Sequence, residues 1–355
     1  MRLHILTPGF TTPNGRAFLF PLLVHSRALA DSGIEVRLFA NDEPELTECD
    51  RLLVDRKAHE HLWPVAESRL LDDFARWADR VPTIFCDTSD SAGWLHVKLL
   101  PIVHAYAKGQ MARDRSSYLA PQYGYRAFAD HYHRTLGVTD THPEWSNPVP
   151  DPGLLPKLRV SWNAGLADYS ATGPYKMALY GRLPFRPLLR FPSRRGVPES
   201  PRPLDVSCRF GTGYARESVA VQRKLIRDRL ADRMSVEKLS RRRYYAELRA
   251  AKVVVSPFGW GEITLKDFEV FLTGGLLFKP DMSGIETWPD LFVADETYVS
   301  HSWDLDDFDD RLADLIADNP RRLEIATAGQ AKYCAHLGGD AAAARLVEQL
   351  RQVVA

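Results

Sequence analysis

Between the apolar runs VVVSP and LLFKP, residues 253 to 280 hold Glu262, Lys266, Asp267 and Glu269. Such charge between two buried-looking segments calls for a use. If helical winding begins near Glu262, then Glu262, Lys266 and Glu269 fall at i, i+4 and i+7 and share one face. A carboxylate accepts two hydrogen bonds, so it can hold a vicinal diol. Gly259 and Gly261 in the preceding turn, with Ile263 and Thr264 after it, bring backbone N–H groups and the partial positive charge of a helix N-terminus to the same place, which suits phosphate. The plainer reading is an exposed Glu262–Lys266 pair contributing only ~0.2–0.5 kcal/mol.

A second polar group lies in CDTSDS, where Asp87 and Asp90 follow an apolar strand pattern. Either could take a proton from an attacking hydroxyl, and Asp87 could equally cap the next helix. In VSWNAGL, Trp162 could stack on a ligand ring and Asn163 hydrogen-bond to it, the alternative for Trp162 being burial in the core.

These groups need a scaffold with strand exits gathered at one edge. RLHIL, the helical FLFPLLVHSRALADSG closed by Gly33, and IEVRLFA form a strand, helix, strand unit whose parallel strands require a crossover. TIFCDTSD (83–90) and KLRVSWNAG (157–165) read as further strands, and LPIVHAYAKG as an apolar helical stretch. A second pattern starts at LDVSCRFG (204–211). It continues with helices near 217–232 and 236–251, the strand VVVSP, the charged helix, the strand LLFKP and a helical C-terminus from about Leu305. Ligands of open α/β sheets bind at such exits. The expected fold is α/β, with two Rossmann-like domains facing across a cleft. Residues 1–195 form the first and 196–355 the second, the last helix crossing back to the first.

The 355 residues exceed one ordinary core. Forty-six basic and 46 acidic side chains cancel, so bulk attraction to nucleic acid is not expected. Cys49, Cys86, Cys208 and Cys334 form no CxxC pair, and MRLHILTPGF has no signal-peptide pattern, which together suggest a cytoplasmic protein. DLDDFDD (304–310) lacks EF-hand spacing and reads as the acidic start of a helix.

The first loop, GFTTPNG, has neither GxGxxG nor GxxxxGK[ST], which sets dehydrogenases and kinases aside. EVFLTG, with Glu269 five residues before Gly274, resembles instead the C-terminal half of group 1 GT-B glycosyltransferases. The position matching that family's first glutamate is Gly261, and Glu262 falls one residue late. CDTSDS, LPIVHAYAKGQMARDRSSY, VSWNAGL and SPFGWGEITLKDFEVFLTGGLLFKPDMSGIETWPDLF are similar to pieces of glycosyltransferases from bacterial surface-polysaccharide clusters. The resemblance implies a nucleotide-sugar donor as substrate, no cofactor, and a glycan or lipid-linked glycan acceptor. It also implies that Glu269 holds the donor's ribose and that Glu262 addresses the donor sugar. An arginine would stabilise the leaving diphosphate. Arg209, at the exit of DVSCRF, is the first candidate, followed by Arg216 and Arg223. The loop flanked by Gly9 and Gly15 resembles the glycine-rich loop under the reacting sugar, with Asn14 and Arg16 reaching toward ligand. DxxD in place of DxD implies no catalytic metal. A nucleotide-sugar epimerase and a non-catalytic glycan-binding protein are the rival readings on this scaffold.

Residues 169–198 contain six basic side chains, no acidic one and several prolines, which disfavour helix. The segment reads as an interdomain linker packed in the groove. Its alternative use is a cationic patch attracted to the inner face of a membrane at ~1 kcal/mol per basic residue.

Overall fold

The apolar runs of the first half become one parallel sheet. In the computed structural model, which describes residues 1–232 and 234–355, β1 (Arg2–Leu6), β2 (Glu35–Phe39), β3 (Arg51–Asp55), β4 (Thr83–Asp87) and β5 (Ala105–Lys108) lie side by side. After β5, β6 (Gln110–Ala112) turns out of the sheet and β7 (Leu158–Val160) forms its edge. The order is β2-β1-β3-β4-β5-β7, and each pairing is parallel. In the second half β8 (Leu204–Ser207), β9 (Ala251–Val255), β10 (Leu276–Pro280) and β12 (Val299–His301) form a second parallel sheet in the order β12-β10-β9-β8. Two Rossmann-like α/β halves are therefore present, as the sequence predicts, with their strand exits turned toward a shared cleft.

Features of several kinds join the halves. β11 (Ile285–Thr287) pairs antiparallel with β6, so a two-stranded ribbon bridges the cleft. The helix Asp340–Val354 returns to the first sheet, where Gln349 Nε2 donates to the Val160 carbonyl at 2.7 Å and Arg51 Nε to the Val354 carbonyl at 2.7 Å. One apolar cluster runs through both, from Leu3, Phe18 and Trp162 to Phe258, Phe268 and Leu346.

Local departures have local causes. LPIVHAYAKG contains β5, all four of whose residues are buried, where its apolar spacing predicts helix. The Pro-rich connector still forms a helix, Gly173–Tyr180, because Pro174 lies in its first turn, where a missing N–H does no harm, and Pro184 comes after its end. The acidic C-terminal helix starts at Phe308, since Leu305 sits at φ +65°, outside helical space. The charged helix spans Leu265–Thr273, with Thr264 as N-cap in a reciprocal capping box with Asp267. Glu262 therefore precedes the helix and does not share a face with Lys266 and Glu269.

Candidate functional site

A cavity of about 340 Å³ lies between the two halves. Its first wall is built from the exits of β4, β5 and β7 and from the helix Pro13–Val24. The loop 259–261 and the N-terminal end of the Leu265–Thr273 helix make the second.

On the first wall, burial alone would raise the Asp87 carboxyl. The Lys108 ammonium at 2.7 Å, helped by Arg56, overcomes this and holds it well below the usual carboxylate range. Tyr106 Oη and the Ser89 N–H also donate to Asp87. A carboxylate so strongly stabilised as an anion is a poor proton acceptor, so Asp87 is corrected from base to structural counter-ion. Asp90 differs: it is exposed at the cavity wall, and among the described residues its side chain accepts one hydrogen bond, from Asn14 Nδ2 at 2.9 Å. Asn14 also donates to the Thr88 carbonyl, and so orients the Asp90 loop. Of the first-loop candidates only Asn14 lines the cavity. Gly9 supplies a left-handed turn at φ +70°, Gly15 packs beside the Gly9 carbonyl, and Arg16 bonds back to the Phe10 carbonyl at 2.9 Å.

Trp162 and Asn163 line the cavity with their hydrogen-bonding groups already engaged. The Trp162 indole N–H donates to the Phe18 carbonyl, and its ring stacks on Phe18. Asn163 Nδ2 donates to Thr287 Oγ1 and the Pro289 carbonyl, while its Oδ1 accepts the Gly165 N–H. The expected ligand contact is thus replaced, for Asn163, by bracing between the halves.

The second wall presents Arg223, which is 8% exposed. Its guanidinium donates to the carbonyls of Phe258 and, at 3.1 Å, Gly211, and lies over the Tyr214 ring at 4.9 Å. Among the described residues it forms no ion pair. Desolvation lowers its pKa, so an anion entering here would relieve an electrostatic cost already present. Arg209 is the opposite case. Glu247 accepts from its Nε at 2.9 Å and its Nη2 at 2.8 Å, a bidentate pair outside the cavity lining. Arg216 pairs with Glu144 across the interface. The phosphate role expected of Arg209 therefore fits Arg223 better, because Arg223 lines the cavity with no ion-pair partner among the described residues and feels Asp267 only at longer range, whereas Glu247 holds Arg209 outside the lining.

Gly259, Gly261, Ile263 and Thr264 all line the cavity. A Cβ on Gly261 would lie 1.8 Å from the Asp90 carbonyl oxygen, so only glycine lets this loop meet the opposite one. Gly261→Ala should lower stability by about 1–3 kcal/mol through forced separation of the loops, with turnover falling alongside. Chemical denaturation and rate assays on the same preparation would show it, and unchanged stability would mean the loops do not meet.

Glu262 is 1% exposed and lies outside the cavity lining; its Oε2 accepts the Ala92 N–H at 2.9 Å, which makes it a strut between the halves. Burial raises its pKa, and Oε1 has no hydrogen-bond partner among the described residues. Glu269, the expected ribose ligand, is also outside the lining. Tyr244 Oη donates to it at 3.0 Å, Tyr245 Oη, whose proton the Tyr169 carbonyl also contacts, lies at 3.0 Å, and the Arg241 guanidinium at 3.7 Å, so its oxygens face the Arg241–Ala250 helix. Lys266 Nζ bonds to the carbonyls of Arg209 and Val255, and desolvation pushes its pKa down to about 8. Sequence reasoning passed over Phe18, Gln110, Tyr214 and Trp260, which also line the cleft. No spacing motif marks them, since the fold alone brings them together.

No protein-family model matches the chain, and no curated protein does. Among solved structures it is similar to Anabaena HepE in complex with UDP-glucose (10% identity, 99% of this chain and 98% of that one, TM-score 0.45). It is also similar to sucrose-phosphate synthase from Thermosynechococcus elongatus (13%, 99% and 99%, 0.44). A third similar structure is an alpha-glucosyltransferase in complex with UDP and a 13-mer DNA (9%, 100% and 99%, 0.43). That structure contains DNA, which overturns the expectation, drawn from zero net charge, that nucleic acid can be set aside as a partner.

Proposed function

We propose that this chain is a GT-B glycosyltransferase that moves a sugar from a nucleotide-sugar donor to a glycan or lipid-linked glycan acceptor. One observation carries the reading: a cleft at the exits of two parallel sheets sets an accessible carboxylate, Asp90, opposite a buried arginine without a carboxylate partner, Arg223. The donor diphosphate would lie against Arg223 and the N-terminus of the Leu265–Thr273 helix, where charge developing on the leaving oxygen is stabilised by groups already in place. Asp90 would accept the proton of the acceptor hydroxyl. Exclusion of water between the walls and alignment of the two substrates would supply much of the remaining barrier reduction. No metal is required by this arrangement, and turnover should persist in EDTA. The sequence resemblance supports a role in surface-polysaccharide synthesis, on the cytoplasmic side.

Asp90→Asn should reduce transfer about 10²–10⁴-fold while leaving donor affinity within a few-fold of wild type. Full transfer by that variant would remove Asp90 from the chemistry. Donor converted to an epimer without any acceptor would replace the reading with the epimerase alternative.

A further inference from the structure

Part of the connector stands clear of the groove, although Met177 and Leu189 are buried. Residues 181–187 are exposed without a break, and within them Leu183 is 62% and Phe185 63% exposed. Tyr175 and Leu179, four residues apart on the Gly173–Tyr180 helix, are 66% and 44% exposed. Arg182 and Arg186 flank the apolar pair, and Arg190 is exposed beyond them. Arg186 is tied to Ser26 Oγ at 2.9 Å, and Lys176 lies 3.7 Å from Asp168. Arg182 and Arg190 make no ion pair among the described residues. The Arg241 guanidinium lies over Tyr175 at 5.8 Å, but Glu269 at 3.7 Å balances its charge, so the ridge's own arginines carry the positive face. From Tyr169 to Pro198 there is no acidic side chain to offset it.

We propose that this ridge docks on an anionic phospholipid bilayer, with Leu183 and Phe185 entering the interfacial zone and Arg182, Arg186 and Arg190 at lipid phosphates. Both chemistries are needed to choose the partner. A soluble polyanion would answer the arginines and leave the large apolar side chains in water, whereas a bilayer covers both. A second copy is disfavoured, because a two-fold contact would set two positive ridges against each other. The ridge backs onto the first loop: the Tyr180 ring is 4.9 Å from that of Phe10, four residues before the cavity residue Asn14. Docking therefore holds the Asp90 side of the cleft near the bilayer. Resting on the glycosyltransferase reading, this makes the acceptor a lipid-linked saccharide.

The test is cosedimentation of the full chain with phosphatidylcholine vesicles, with and without phosphatidylglycerol, beside nucleotide-sugar titration in the absence of lipid. Wild type should bind the anionic vesicles in a salt-sensitive way. Arg182→Gln and Arg190→Gln should each weaken binding about fivefold, and Leu183→Ser with Phe185→Ser more than about tenfold. All variants should bind donor as wild type does. Equal binding to both vesicle types, no vesicle binding, or full binding by the double serine variant would overturn the inference, as would a wild-type dimer that this variant splits. A wild type that binds vesicles and no nucleotide sugar would leave the docking surface standing and remove the glycosyltransferase reading.

Discussion

Lys108→Met is expected to destabilise the protein by about 3–5 kcal/mol, the usual cost of leaving one member of a buried ion pair alone. Lys108 is 0% and Asp87 2% exposed, so water cannot replace the lost ammonium. Asp87 would keep Tyr106 Oη at 2.7 Å and the Ser89 N–H at 2.9 Å, neither carrying a formal charge, and the Arg56 guanidinium only at 3.9 Å. The pair also sits at the exit of the strand whose following loop carries Asp90, so activity should fall further than instability alone explains. The same pair predicts an acid limit. The folded Asp87 pKa is depressed below that of the unfolded chain, so its contribution to stability is fully present above about pH 4 and is lost as pH falls toward the depressed value. Urea unfolding of wild type and Lys108→Met at neutral and acid pH measures both effects. Equal stability of the two proteins at pH 7 would show that the pair is not the strut described.

Arg223→Gln should reduce kcat/KM by about 10²–10³, the usual loss when one preorganised donor to developing charge is removed. Glutamine keeps one donor group toward the Phe258 and Gly211 carbonyls, so the loss should exceed what local rearrangement would cause. Arg209→Gln is the control. Because Glu247 already holds that guanidinium, its removal should change stability modestly and donor affinity within a few-fold. Steady-state kinetics on both variants separates the assignments, and a larger loss from Arg209→Gln would reverse them.

The arginine pair also shows what sequence can and cannot locate. Both residues follow β8, and placing Arg209 at a strand exit is sound, but its carboxylate partner lies 38 residues away on the Arg241–Ala250 helix. Nothing in local spacing announces Glu247. The apolar strands, Gly33 and Gly274 act through their own backbone or nearest neighbours, so the two parallel sheets are readable. Glu269 failed as a cleft residue for the same reason as Arg209. Its phenol partners, Tyr244 and Tyr245, lie 25 and 24 residues earlier on the Arg241–Ala250 helix, and no local spacing announces them. Glu262 turned on register: the capping box starts the helix three residues later than the acidic spacing implied, leaving Glu262 to face Ala92. Asp87 and Asp90 were both visible, and only the buried Lys108, on the adjacent strand, distinguishes anion from accessible base.

A nucleotide sugar held in the cleft against Arg223 is the central claim, and thermal unfolding with UDP-, GDP-, CMP- and ADP-sugars tests it most directly. A ligand that binds only the folded state stabilises it by about 2.7 kcal/mol at a hundred times its Kd, which corresponds to several degrees in Tm. One donor class should raise the wild-type Tm by that amount, and Arg223→Gln should lose most of the shift while Arg209→Gln keeps it. No shift with any donor at millimolar concentration, or a full shift in Arg223→Gln, would contradict the account.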